Sequence, residues 1–367
     1  MPDEPHPTSP WRSSRAGLTI SVALCTWNGS RWLGEMLRSL EHQERLPDEL
    51  VVQDDASTDD TARLVEEFSQ RAPFPVKLEV NPVRIGSTRN FAAALERCTG
   101  HVIALADQDD IWYPAKLARL AEEFSADPTV TMAFSNADLV DEQSRPLHRR
   151  LWQTRRVDRI LRNHAVVPAE LFARRPLTTG CTMAVRRRAI DAALPFPSAL
   201  ADDESPMRHD RWISLVAAAV GTVRALPEPL LAFRVHPSQE TGVLIGTQLT
   251  RALARAALRA VAGPPGANSG THRARAAQLV EASRRADDLG DFKEAAILRQ
   301  ISALHSERID NGSNLRDRVG AVVTCARGGA YDLSARGAGS LVADAFRAIR
   351  PRPAVDPEPP RTPMRVR

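Results

Sequence analysis

Asp107 and Asp109 stand one residue apart in the run Asp107-Gln108-Asp109-Asp110, directly after the apolar stretch 101–106. Hard divalent cations such as Mg²⁺ and Mn²⁺ prefer carboxylate oxygen and often bridge one or two carboxylates to substrate phosphates. The same spacing also occurs in solvated turns and helix caps. Position favours the metal, because ligands of open parallel sheets bind beyond the carboxyl ends of the strands. A second run, Asp54-Asp55-Ala56-Ser57-Thr58-Asp59, ends the apolar stretch 50–53. Ser57, Thr58 and Asp59 read as caps of the helix that follows. Asp54 and Asp55 precede that cap; they are either solvated in the loop or accept the N3–H of a uracil or thymine base. A third polar run, Thr26-Trp27-Asn28-Gly29, ends the first apolar stretch. Three strand ends carrying polar groups at one rim define one expected site.

The elements that must carry these runs alternate. Residues 18–25, 50–53, 76–80 and 101–106 are short apolar, β-rich runs. Between them, apolar residues at 32, 33, 36, 37 and 40 follow helical spacing, as do Leu64, Val65 and Phe68 after Asp59 and Asp60. Residues 91–95 belong to a third helix, and Leu117, Leu120 and Phe124 form a stripe after Pro114. This βαβαβαβ order predicts an α/β domain, Rossmann-like, with a mostly parallel sheet flanked by helices. Strands are expected at 130–134 and 182–185, and a buried helix at 209–220. Beyond residue 245 the chain is rich in Ala and Arg and reads as a mainly helical region, broken at Gly263-Pro264-Pro265-Gly266. The expected organisation is a disordered arm over 1–16, a catalytic domain over 17–240, a helical region over 241–350 and a disordered tail over 351–367.

Composition removes several function classes. A net charge of +4 over 367 residues does not indicate a nucleic-acid partner. Cys25, Cys98, Cys181 and Cys325 form no CxxC pair, so reduced thiols and a cytoplasmic protein are expected. No apolar run approaches membrane-spanning length. There is no G-x-G-x-x-G after the first strand, no G-x-x-x-x-G-K-[ST] and no G-x-S-x-G, which weakens dinucleotide, P-loop and α/β-hydrolase readings. Arg251, Arg255 and Arg259 recur every four residues beside Leu249 and Leu253. Such a helix either packs on the catalytic domain or lies peripherally on an anionic membrane at the inner face of the cell membrane; the weak apolar face favours packing.

Taken as an ordered set, these runs resemble the inverting family 2 glycosyltransferases of GT-A fold, most nearly their rhamnosyltransferase-like branch. Arg89-Asn90-Phe91, Thr179-Gly180-Cys181-Thr182, His209-Asp210-Arg211-Trp212 and Phe233-Arg234-Val235-His236 extend the resemblance, which covers about residues 18–240. It implies that Thr26, Asn28, Asp55 and Arg89 line a nucleotide pocket. Asp107 and Asp109 would hold the diphosphate through the metal, with Asp109 the stronger ligand and His236 beside it. Asp210 would be the catalytic base. Trp27 stands where tyrosine is usual, Ala56 where glycine is usual, and Pro237 follows His236 in place of glycine.

Asp210 opens an apolar helix, where capping is its ordinary role; His209 and Trp212 beside it favour the base, and the rival carboxylates Asp202, Asp203 and Glu204 read as a solvated loop. His236 alone would ordinarily be structural. Trp112 and Trp212 either stack on a sugar or fill the core, and core packing is expected of Trp112. The resulting expectation is transfer of a sugar from a dTDP- or UDP-sugar, rhamnose first, to a glycan or lipid-linked acceptor in cell-surface polysaccharide or glycolipid synthesis. The rival readings are a sugar nucleotidyltransferase and a non-catalytic nucleotide-sugar-binding module.

Overall fold

A computed structural model describes residues 17–155, 157–161, 166–167, 169–174, 177–200, 208–239 and 269–307. The expected arm and tail, Asp202, Asp203 and Glu204, the Arg251–Arg259 stretch, the loop at 263–266 and Cys325 lie outside the described residues.

The first half alternates as expected: β1 (Ile20–Thr26), α1 (Ser30–Glu41), β2 (Glu49–Asp54), α2 (Thr61–Ser69), β3 (Val76–Val80), α3 (Ser87–Arg97) and β4 (Val102–Asp107). β1 and β2 are buried along their whole length, as is β4 up to Asp107. Strands covered on both faces lose the usual apolar–polar alternation, which is why they read as continuous runs. In α1 the stripe Trp32, Leu33, Met36, Leu37 and Leu40 is the buried face. Each such side chain contributes about 1.5–3 kcal/mol on burial.

The second half adds β5 (Ile111–Trp112), α4 (Lys116–Ala126), β6 (Val130–Val140) and β7 (Pro146–Arg150). Short helices α5 (Leu151–Arg155), α6 (Val157–Leu161) and α7 (Ala169–Arg174) follow, then β8 (Met183–Arg186), α8 (Arg187–Ala193), α9 (His209–Ala219) and β9 (Thr222–Arg234). One sheet runs β3-β2-β1-β4-β8-β6-β9-β5, with β7 paired to β6. β3, β2, β1 and β4 are mutually parallel, β8 is antiparallel to both its neighbours, and β6 and β9 are parallel.

β9 has no counterpart in the sequence reading. Pro227 and Pro229 interrupt it, and proline removes a ladder donor, so the pattern does not look like a strand. The sheet absorbs the prolines through register shifts against Ser135, Asn136 and Asp138 of β6. β9 matters because β5 pairs with its end, Ile111 opposite Ala232. That two-residue pairing brings the segment after β9 beside the acidic run before β5.

Two further helices, α10 (Ser269–Asp288) and α11 (Phe292–Glu307), pack on each other and against α9 and α7. Arg285 of α10 donates to the carbonyls of Ala192, in the last turn of α8, and of Leu194 and Pro195 just beyond it, at 2.7, 3.2 and 2.8 Å. These carbonyls have no partner within α8, so a cation suits them doubly. Among the described residues no helix is long and apolar enough to cross a membrane.

Candidate active site

A cleft of about 360 Å³ opens at the carboxyl ends of β1, β2 and β4. Its first wall is the β1–α1 loop. Thr26 lines it and donates through Oγ1 to Asp54 Oδ1 at 2.6 Å. Asn28 lines it in a left-handed conformation, φ +46°. Its backbone N–H donates to Ser57 Oγ and its Oδ1 accepts from the Thr58 N–H, both at 2.8 Å. Ser57 and Thr58 therefore brace the first loop instead of capping α2. Asp59 accepts from the N–H of Thr61 at 3.0 Å and of Ser30 at 3.1 Å, so it serves the starts of α2 and α1 together. Ala56, where glycine is usual in the family, keeps a left-handed φ of +58°.

Neighbouring Asp54 and Asp55 do different things. Asp54 is fully buried beneath the cleft wall, and its carboxylate takes Thr26 Oγ1, the Ser57 N–H and Ser57 Oγ. It does not reach the cleft. Asp55 lines the cleft and accepts from the N–H of Ile85 at 2.7 Å, the N–H of Gly86 at 2.9 Å and Asn81 Nδ2 at 3.0 Å. It fixes the turn that leads into α3, where Gly86 adopts φ +85°.

Arg89 is exposed and is not among the cleft-lining residues. The arginines that do line it are Arg84 and Arg208. Arg84 lies over the indole of Trp27, its Cζ 3.4 Å from the ring centroid, and its Nε lies 3.9 Å from the Asp55 carboxylate. Arg208 donates to Ser87 Oγ at 2.7 Å, linking the residue before α9 to the start of α3.

The second wall holds Asp107, Asp109 and His236. His236 Nε2 lies 2.7 Å from Asp109 Oδ2, its Nδ1 lies 2.8 Å from Ser238 Oγ, and its ring packs on Trp32 at 4.3 Å. Carboxylate oxygen and imidazole are donors of the kind Mg²⁺ or Mn²⁺ takes, and here Asp109 and His236 pair with each other. Behind them Arg234, fully buried, donates from Nε to the Asp109 carbonyl at 2.7 Å, from Nη1 to Ser144 Oγ at 2.8 Å and from Nη2 to Glu35 Oε2 at 2.9 Å. Its N–H donates to Asp110 Oδ1 at 3.0 Å. Asp110 lies within 4.8 Å of Asp107 and Cys181, but it is buried and outside the cleft. Burial first, then the charges of Asp109 and Asp107, push its carboxyl well above the usual range. Burial likewise brings Lys116 down to about 7, with its ammonium 3.6 Å from the Trp112 ring centroid.

The third wall is Thr179, Gly180, His209 and Asp210. Asp210 lies in the first turn of α9, and its Oδ1 accepts from the Arg211 N–H at 2.7 Å. His209 stacks on Phe91, with ring centroids 4.1 Å apart. A Cβ on Gly180 would lie 3.5 Å from His209 Nε2 and 3.8 Å from Asp210 Cβ, ordinary contact distances, so this wall has room for one. Trp212 is fully buried and donates to the Ala193 carbonyl at 2.9 Å; it and Trp112 fill the core. Cys25, Cys98 and Cys181 are free and buried, and burial pushes all three thiols up, Cys98 to about 12.

Of the residues expected from sequence, Thr26, Asn28, Asp55, Asp107, Asp109, Asp210 and His236 meet in one cleft, and Asp54 and Arg89 do not. Arg84, Arg208 and Gln108 are additions, and each adjoins or interrupts a run already singled out or the turn that Asp55 holds.

Residues 21–193 match the sequence model of the family described as Glycosyl transferase family 2. A glycosyltransferase of Nostoc sp. is 26% identical over 223 residues, 60% of this chain and 65% of that protein. The dTDP-rhamnosyl transferase RfbG of Shigella flexneri is 31% identical over 98 residues, 26% of this chain and 34% of its own length. The crystal structure of Staphylococcus aureus TarS 1-349 in complex with UDP superposes with a TM-score of 0.54 at 16% identity, covering 90% of this chain and 89% of that one. The fold is that of the GT-A glycosyltransferases, and residues 21–193 form a glycosyltransferase family 2 domain. It spans less than two thirds of the length of the curated relatives it matches first, 65% and 59%.

Proposed function

We propose that the chain transfers a sugar, with inversion, from a nucleoside-diphosphate-sugar to an acceptor hydroxyl. The observation that carries this reading is one cleft in which Asp109 and His236 stand on one wall and Asp210 on another, beside a loop built by Thr26, Asn28 and Asp55. The nucleoside lies along that loop, where Trp27 offers an aromatic face. The acceptor hydroxyl attacks the anomeric carbon as the bond to the diphosphate breaks. Asp210 accepts the hydroxyl proton, and a single displacement inverts the centre. Asp107, Asp109 and His236 would hold Mg²⁺ or Mn²⁺, which offsets the charge gathered by the leaving diphosphate. Arg84 and Arg208 add positive charge to the cleft where that diphosphate lies.

The donor is a dTDP-deoxyhexose such as dTDP-rhamnose, with UDP-hexoses next; the partial match to RfbG of Shigella flexneri supports that order. The acceptor is a glycan or a lipid-linked sugar in cell-envelope polysaccharide or glycolipid synthesis. Asp210→Asn tests the proton route. Donor and metal should bind as in the wild type, while turnover falls by about a hundredfold or more. Loss of donor binding together with turnover would move Asp210 into the donor pocket and remove it as the base.

A further inference from the structure

Gln108 separates the two acids, and its side chain turns away from them. Its Oε1 accepts from the Trp27 N–H at 2.8 Å and its Nε2 donates to the Trp27 carbonyl at 3.0 Å. One side-chain amide thus takes both polar groups of one backbone residue. The parallel ladder between β1 and β4 ends at Cys25 opposite Asp107. Beyond that point the two chains diverge into the loops that form two walls of the cleft. Gln108 continues the pairing where the backbone no longer can.

Gly29 records the same contact. A Cβ there would lie 2.1 Å from Gln108 Oε1 and 2.4 Å from its Cδ. Gly29 has φ −101°, which any residue adopts, so the glycine is required for space and not for conformation. Its own N–H donates to Thr61 Oγ1 at 2.8 Å, which holds it against α2. The β1–α1 loop is therefore fixed on one side by α2 and on the other by Gln108.

We propose that Gln108 is a positioning residue that sets the spacing between the nucleoside wall, Trp27 and Asn28, and the phosphate wall, Asp107 and Asp109. The inference rests on the function proposed above, because only a ligand spanning both walls feels their separation. A nucleoside diphosphate is such a ligand, and walls held at the right distance before binding spare it the cost of ordering them. Gln108 itself touches no reacting atom.

The test is a double-mutant cycle read by calorimetric titration with UDP, dTDP and GDP in the presence of Mn²⁺. Gln108→Ala should weaken the nucleotide that binds wild type best by about five- to tenfold, the low end of what two hydrogen bonds between uncharged groups contribute. Gly29→Ala should weaken it similarly by displacing the Gln108 amide. The double variant should be no weaker than Gln108→Ala alone, because the colliding side chain is gone. Thermal midpoints follow each variant. A lowered midpoint with wild-type nucleotide affinity would make Gln108 merely structural and overturn the proposal. So would losses that multiply in the double variant. A wild type that binds none of the three nucleotides would refute the proposed function, and the positioning role with it; a wild type that binds beside a Gln108→Ala that binds equally refutes the positioning role alone.

Discussion

Replacing Arg234 by Met should be among the costliest single changes in the site region. The side chain is fully buried and makes a 2.9 Å ion pair with Glu35, and it serves the Asp109 carbonyl and Ser144 Oγ at 2.7 and 2.8 Å. Methionine matches its length and supplies no donor. Breaking a buried ion pair from one side costs about 3–5 kcal/mol, because the remaining charge is left unpaired. Glu35 is 37% exposed, so water recovers part of that cost and the expected loss sits near the lower end. The Asp109 carbonyl loses its donor as well, which adds about 1 kcal/mol without strict additivity, while those of Asp141 and Glu142 keep the Ser144 N–H and Trp32 Nε1. A total of about 3–4 kcal/mol, with a urea slope near 3 kcal/mol/M, moves the unfolding midpoint down by about 1 M. The measurement is a pair of urea titrations followed by circular dichroism. Glu35→Gln, which leaves Arg234 its other acceptors, should cost less than Arg234→Met. A midpoint for Arg234→Met within about 0.2 M of wild type would refute the assignment of Arg234 as the brace behind Asp109.

Glu49 gives a pH-dependent expectation. Burial alone would raise its carboxyl, but hydrogen bonds from Lys77, Ser21 and Thr99 outweigh burial and bring it from 4.5 down to about 2. Its contribution is present above pH 4.5 and is lost as pH falls toward 2, so the stability gap between wild type and Glu49→Gln should be widest near neutrality and shrink over that window. The upper bound is about 3 kcal/mol, reduced because Lys77 is half exposed; a gap that grows on acidification would contradict it. Arg285→Ala removes three hydrogen bonds to carbonyls at the end of α8 and should lower the thermal midpoint by several degrees, about 2 kcal/mol. An unchanged midpoint would mean that α10 is not fastened there.

The parts of the fold that were legible in sequence are those where burial leaves a simple pattern. β1, β2 and β4 are covered on both faces and read as apolar runs, and the α1 stripe is its buried face. β9 was not legible, because Pro227 and Pro229 disguise it and its place depends on register shifts in β6. The site divides similarly. Asp107 and Asp109 lie in the cleft because a strand end fixes them at the rim, whereas Asp210 comes through the resemblance, since a helix start by itself reads as a cap. Asp54 and Asp55 differ by one residue, and a strand's two-residue period turns neighbours in opposite directions. Sequence gives the pair, but only the structure shows that Asp55 lines the cleft. Arg89 was expected there through its motif; α3 leaves it exposed, and Arg84 and Arg208 take that place from loops whose paths no local pattern reports.

The central claim is that this cleft cleaves a nucleotide-sugar at a divalent cation held by Asp109. The direct measurement is release of nucleoside diphosphate from a panel of dTDP-, UDP- and GDP-sugars, with Mn²⁺ or Mg²⁺ and with EDTA, by wild type and Asp109→Asn. The substitution removes the charge and keeps the shape, so the variant should fold and lose metal-dependent release. The account expects release by wild type from at least one donor, abolished by EDTA and by the substitution. Release that persists in EDTA, or full activity in Asp109→Asn, would contradict it.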